Sequence, residues 1–219
     1  MAQQVVFQDG SIWNKGLLNM INTSLLSIGE TPFVEGTDPS SLPLGTDGDT
    51  ARRIIQDTMI EVQSRGWFFN SDYSFELVPD TNNYITMPPN TLKVDFGYSN
   101  TPNRFIMRNG KIYDLQEQTY KIYKNLYPDV IWLIDYQDLP PEAYEYISLR
   151  AARKFQQRVI GSTELAQFTN IDEQDALINL QRLQLQINDY NIQNSKVSTR
   201  IHSGYLQKSL YGNQGRREF

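Results

Sequence analysis

Apolar side chains recur at three- and four-residue steps between residues 50 and 62. Ala51, Ile54, Ile55, Met59 and Val62, joined by Thr58, share one face, which predicts an amphipathic helix. Arg52, Arg53, Asp57, Glu61 and Arg65 fall largely outside that stripe. Glu61 stands four residues before Arg65, the orientation that favours an ion pair along a helix. Asp47, Asp49 and Thr50 offer N-cap oxygens and negative charge at the positive end of the helix dipole. Gly66 is placed to end the helix in a left-handed cap, and Trp67, Phe68 and Phe69 then change the period. The expected result is a plain corner from helix into a buried aromatic strand.

The same periodicity predicts a first helix over residues 14–28, with Leu17, Leu18, Ile21, Leu25 and Ile28 on one side and Gly29 and Pro32 as its stop. Residues 1–11 are polar, expected to be frayed or draped on a partner. Residues 31–49 carry no apolar period and predict a long loop. From Trp67 the pattern becomes alternating. Tyr73, Phe75 and Leu77 lead to a turn at Pro79-Asp80-Thr81-Asn82-Asn83, followed by Tyr84, Thr86 and Pro88. Leu92, Val94 and Phe96 share a face of the next strand. Asn109-Gly110, between the runs 105–108 and 111–114, is what a two-residue type I′ hairpin requires. Runs at 120–123 and 130–135 complete a sheet of about six short strands.

Helical spacing then returns. Asp138-Leu139-Pro140-Pro141-Glu142 predicts a helix start, with Asp138 as cap and prolines in the first turn. Ala143, Ile147, Ala151, Phe155 and Val159 follow at steps of four, and Gly161 ends the helix. The small residues Ala143, Ala151 and Ala152 permit close helix approach. A fourth helix starts near Ser162 or Asp172 and runs to about residue 194, with Ala176, Leu180, Leu183, Ile187 and Tyr190 as its packed seam. Leu177, Leu185 and Ile192 lie off the seam, so this helix has more apolar positions than one neighbour needs. Burial in its own bundle and contact with another copy are both open.

The pattern therefore predicts an α+β protein: an antiparallel helical bundle from the N- and C-terminal helices, an inserted mainly antiparallel β domain and an extended arm. The expected division is an N-terminal segment (1–13), a helical domain (14–67 with 138–195), the β domain (68–137) and the C-terminal arm (196–219). Composition supports a real core, with 39% hydrophobic and 12% aromatic residues among 219. The net charge is −5, but Lys196, Arg200, Lys208, Arg216 and Arg217 against Glu218 make the arm +4, which leaves −9 for the rest. An acidic body does not attract nucleic acid. Tyr205, Leu206, Leu210 and Tyr211 are spaced as anchors by which the arm could order on another protein, and a disordered tail is the alternative.

Candidate chemistry is sparse. There is no cysteine, which excludes disulfides, thiolate zinc sites and cysteine catalysis. The single histidine, His202, sits in the polar arm, far from a triad pattern. No phosphate-cradling glycine loop has the required spacing. Asp47 and Asp49 flank Gly48 as in a calcium loop, but Ala51 stands where a third oxygen ligand belongs and no Glu closes the site, so they read as caps. Asp135, Asp138, Glu142 and Glu145 could form an acid/base pair, although acids at a helix start are explained by the dipole. Asn22-Thr23-Ser24 matches a glycosylation sequon, but residues 1–9 lack the basic and apolar regions of a secretion signal. No apolar run is long enough to span a bilayer. No cofactor is expected, and a structural or assembly role is favoured over an enzyme.

Several motifs occur in an order that resembles one family. Ile28-Gly29-Glu30-Thr31-Pro32 is followed by Ala51-Arg52-Arg53-Ile54-Ile55 and by Gln63-Ser64-Arg65-Gly66-Trp67-Phe68-Phe69-Asn70. Leu139-Pro140-Pro141-Glu142, Tyr146, Ala151-Ala152-Arg153-Lys154-Phe155, Arg158 and Gly161 follow in the second half. Over roughly residues 18–195 the chain resembles the tail tubular protein A family of short-tailed phages. That resemblance implies a virion tail protein that forms a dodecameric adaptor ring between portal and nozzle (tubular protein B). DNA would pass through such a ring without specific binding, and no membrane partner is implied. Within that expectation the arm residues Lys196, Arg200, Tyr205, Leu206, Leu210 and Tyr211 are candidate portal contacts. Arg108, Asn109, Gly110 and Lys111 form the candidate nozzle contact, and Arg52, Arg53, Arg65, Gly66, Trp67 and Phe155 are the structural motif residues. A connector of another phage type and an envelope-glycan hydrolase remain as alternatives.

Overall fold

The computed structural model describes residues 5–6, 12–13, 16–97, 104–161 and 163–194, which form helices and short antiparallel strands, an α+β fold. In order these are β1 (Val5–Val6), β2 (Ile12–Trp13), α1 (Leu17–Leu26), α2 (Asp47–Gln63), β3 (Ser71–Asp72) and β4 (Thr91–Asp95). They continue with β5 (Phe105–Arg108), β6 (Lys111–Asp114), β7 (Asp129–Trp132), α3 (Pro141–Val159) and α4 (Thr163–Asn194).

The predicted stripe of α2 is the buried one: Ala51, Ile54, Ile55, Thr58, Met59 and Val62 are all covered. They meet Met20, Ile21 and Leu25 of α1 and Ala143, Tyr146, Ile147, Ala151 and Phe155 of α3 in one core. α3 packs against each of the other three helices, and α4 joins it through Ala176 and Leu180. Gly66 has φ +76 and ends the turn after α2, as its position predicts. A Cβ there would stand 2.8 Å from Ile131 Cδ1, which would have to turn aside, and the positive φ itself disfavours a side chain.

A second core gathers Leu77, Ile85, Met87, Phe105, Ile112, Ile122, Leu126 and Val130. Here β3, β7 and β4 form a three-stranded antiparallel sheet in that order, and β5 pairs with β6 with Arg108 opposite Lys111. Asn109 and Gly110 have φ +51 and +68, which is the predicted type I′ geometry.

Several local expectations are corrected. Trp67–Phe69 is not a strand. Asn70 Oδ1 accepts from the Trp67 N–H (2.8 Å), the Trp67 indole donates back to Val62 O (2.8 Å), and the chain turns over residues 68–70 before β3. The sheet of about six strands is instead one three-stranded sheet, a hairpin and single bridges at Leu77–Leu126, Thr86–Lys111 and Asp114–Thr119. Pro79, Pro88, Pro89 and Pro128 lack the N–H groups that longer ladders need. Residues 120–123 contribute only the buried Ile122, and Tyr73 and Tyr123 are exposed. The loop expected over 31–49 contains a 3-10 turn at Pro39–Ser41 and yields to α2 at Asp47. The α2 cap is Thr46, whose hydroxyl accepts from the Asp49 N–H, with Asp47 and Asp49 in the first turn. Asp138 does not cap α3. Pro140 holds that position without a side-chain bond, because prolines at the helix start leave fewer donors for a cap to serve. Val159 is 43% exposed although it extends the α3 spacing, since the stripe drifts off the core by the last turn.

Two buried amides join the two cores. Gln63 accepts from the Ile134 N–H (2.7 Å) and donates to Ile134 O (2.9 Å). Asn70 donates to both Gln63 O (2.9 Å) and Trp132 O (2.8 Å). Both side chains are closed from water, so these bonds are costly to leave unmade.

Candidate assembly surfaces

Toward its end, α2 pairs its charge with α3 and not along its own helix. Arg150 donates to Glu61 and, at 2.6 Å, to Glu173, while Lys154 pairs with Glu61 and Arg153 with Glu173. Glu61 therefore reaches across to α3 and not to Arg65, correcting the expected pair: two cations on a packed neighbour outbid one on a solvated face. Glu173 on α4 closes the network and is 7% exposed at its side chain. Hydrogen bonds from Lys154 and then Arg150 hold Glu61 down at about 2 from its ordinary 4.5. Burial pushes Glu173 up, but Arg153 and Arg150 outweigh it and leave it below its usual range. Carboxyls lowered on folding stabilise the fold above their unfolded pKa and lose that contribution as pH falls through the folded one. The melting temperature should therefore drop as pH falls from about 4.5 toward about 2. The drop should be shallower in Glu61→Gln, as followed by circular dichroism; parallel pH profiles would contradict the network's role.

The motif arginines differ in setting. Arg52 and Arg53 both grip the buried carboxylate of Asp49 (2.6 and 3.1 Å), which is thereby occupied and unsuited to calcium. Arg65 is exposed beside Gly66, whereas Trp67 and Phe155 belong to the helical core. Among the described residues no group of acids or histidines is arranged to hold a metal. Of the four carboxylates considered as an acid/base set, Asp135 and Asp138 line one cleft and Glu145 a different groove beside Pro141 and Tyr144, with Glu142 lining neither.

At the hairpin tip, Arg108 lies 4.5 Å over the face of Tyr113 and Lys111 lies 4.8 Å over Tyr84. The cations are thus held beside an exposed Asn109-Gly110 turn, whose Gly110 carbonyl accepts from the Met87 N–H (2.7 Å). On α4, Ile171, Ile178 and Leu185 are 56%, 42% and 61% exposed. Their seven-residue steps align them along one side of the helix, away from the seam of Ala176 and Leu180. Leu183 and Ile187 are half-buried and Leu177 packs on the core, while the side chains of Tyr190 and Ile192 lie outside the described residues. Periodicity signalled Leu185 but missed Ile171, which precedes the seam, and Ile178, which sits between seam positions. The proposed arm contacts Lys196, Arg200, Tyr205, Leu206, Leu210 and Tyr211, and His202, also lie outside the described residues.

A concavity of about 800 Å³ opens between α2 and residues 133–138. Leu17, Met59, Ile60, Leu133, Ile134 and Tyr136 supply apolar lining, and Asp57, Asp135 and Asp138 supply carboxylates. No Lys or Arg lines it among the described residues. Among the described residues no helix is long and apolar enough to cross a membrane.

A family model described as tail tubular protein matches residues 18–190, from the start of α1 through most of α4. No curated protein matches the chain.

Proposed function

As this chain belongs to the tail tubular protein family, a structural component of the phage virion tail, we propose that it is the adaptor between the portal of the head and the tail nozzle. Copies form a dodecameric ring, and the ring continues the channel through which DNA is ejected. The reading divides the chain into a helical domain (14–67 with 138–195), an inserted β domain (68–137) and an arm (196–219).

The observation that carries the proposal is the exposed stripe Ile171, Ile178 and Leu185. Apolar side chains aligned on a helix without a partner among the described residues suit a neighbouring copy, and a head-to-tail contact repeated about an axis closes a ring. The acid excess outside the arm keeps DNA moving by repulsion. The arm orders on the portal, and the hairpin with Arg108, Asn109, Gly110 and Lys111 meets the nozzle. Deleting residues 196–219 is expected to abolish portal binding in a pull-down while the circular dichroism spectrum keeps its helical signal. Arg108→Glu with Lys111→Glu is expected to block nozzle attachment. Normal portal binding by the first variant, or normal tails with the second, would remove those contacts from the proposal.

A further inference from the structure

The cleft beside α2 is apolar inside and acidic at its edge. Ile60 is 46% exposed there, and Asp57, Asp135 and Asp138 make no ion pair among the described residues. Three carboxylates around one opening raise its negative potential, and apolar walls of low dielectric focus it. A ligand that suits it has apolar anchors separated by cations along an extended segment.

The sequence contains such a segment. In the arm, Tyr205 and Leu206 precede Lys208, and Leu210 and Tyr211 follow it, with Lys196 and Arg200 upstream. The route is short. α4 passes the end of α2, where Gln184 accepts from the Phe68 N–H at 2.8 Å. From there Asn70 binds Trp132 O, and the next residue, Leu133, donates to Asn90 O at 2.7 Å; Leu133 and Asn90 both line the cleft. Residues 196–219 could span roughly 80 Å if extended, far more than such a path requires. Tethering in the same chain gives the arm a local concentration on the order of millimolar, which favours its own cleft over a neighbour's.

We propose that the cleft is the resting seat of the chain's own C-terminal arm, with Tyr205, Leu206, Leu210 and Tyr211 on the apolar walls and Lys208 facing Asp57, Asp135 and Asp138. The arm is then covered until an assembly partner competes for it. This holds or fails independently of what that partner is.

Zero-length carbodiimide cross-linking of the full chain tests it, because the reagent joins a lysine to a carboxylate only in direct contact. In an equimolar mixture of ordinary and nitrogen-15 protein, Lys208 or Lys196 should link to Asp57, Asp135 or Asp138 in peptides of a single isotope. The second measurement is amide hydrogen exchange over residues 133–138 in the full chain and in Lys196→Glu/Arg200→Glu/Lys208→Glu. Exchange several-fold faster in the variant is expected. Links confined to other carboxylates, mixed-isotope links showing a second copy's arm in the cleft, or equal exchange rates would each overturn the proposal. The portal pull-down reads the adaptor role separately, so either can fail alone.

Discussion

Phe155→Ala should lower the free energy of unfolding by about 3–5 kcal/mol, the cost of removing a fully enclosed aromatic ring and leaving a cavity. Phe155 is 0% exposed, on α3, which packs against α1, α2 and α4. Little of the surrounding structure can relax into the space, because its neighbours are fixed from several directions. A loss of that size is a large share of the roughly 5–15 kcal/mol that holds a domain together. Urea titration should show a lower midpoint with an unchanged slope. Val159→Ala is the matched control. It continues the same sequence stripe but is 43% exposed, so its effect should stay within about 0.5 kcal/mol. Equal losses at the two positions would mean that α3 does not pack as described.

The second large effect is expected at Arg150. Its guanidinium joins Glu61 of α2 to Glu173 of α4 while it sits on α3. Arg150→Met removes the shared cation and leaves Glu173 enclosed with Arg153 alone. Breaking a buried pair from one side costs about 3–5 kcal/mol. The loss here should fall at the low end, because Glu61 is 41% exposed and keeps Lys154. Arg150→Met with Glu173→Met should recover part of the loss, since an enclosed carboxylate is no longer short of a partner. Strict additivity of the two single losses in chemical denaturation would contradict the network.

What the sequence disclosed and what it hid follow one rule. Elements set by local spacing were legible: the face of α2, the Asn109-Gly110 turn and the seam of α4 at Ala176 and Leu180. Each depends on residues a few positions apart. Partners fixed across long separations were not. Glu61 lies 89 residues from Arg150, and local spacing offered only Arg65 as its mate. Gln63 and Asn70 stand only at the ends of a motif in the sequence, with nothing to mark their partners, yet they close the joint between the two cores through Ile134 and Trp132. The strands were overcounted because alternation marks which side chain is buried, as at Ile122, whether or not its backbone joins a ladder. Of the candidate contact surfaces, the hairpin tip was legible from its turn residues. The cleft was not, since its walls come from α1, α2 and the loop between β7 and α3.

The adaptor role is tested most directly by the mass of the purified full-length chain, measured by native mass spectrometry alone and then mixed with its portal. A monomer alone and a closed ring of copies on the portal are expected. A chain that stays monomeric and unbound in the mixture would contradict the role.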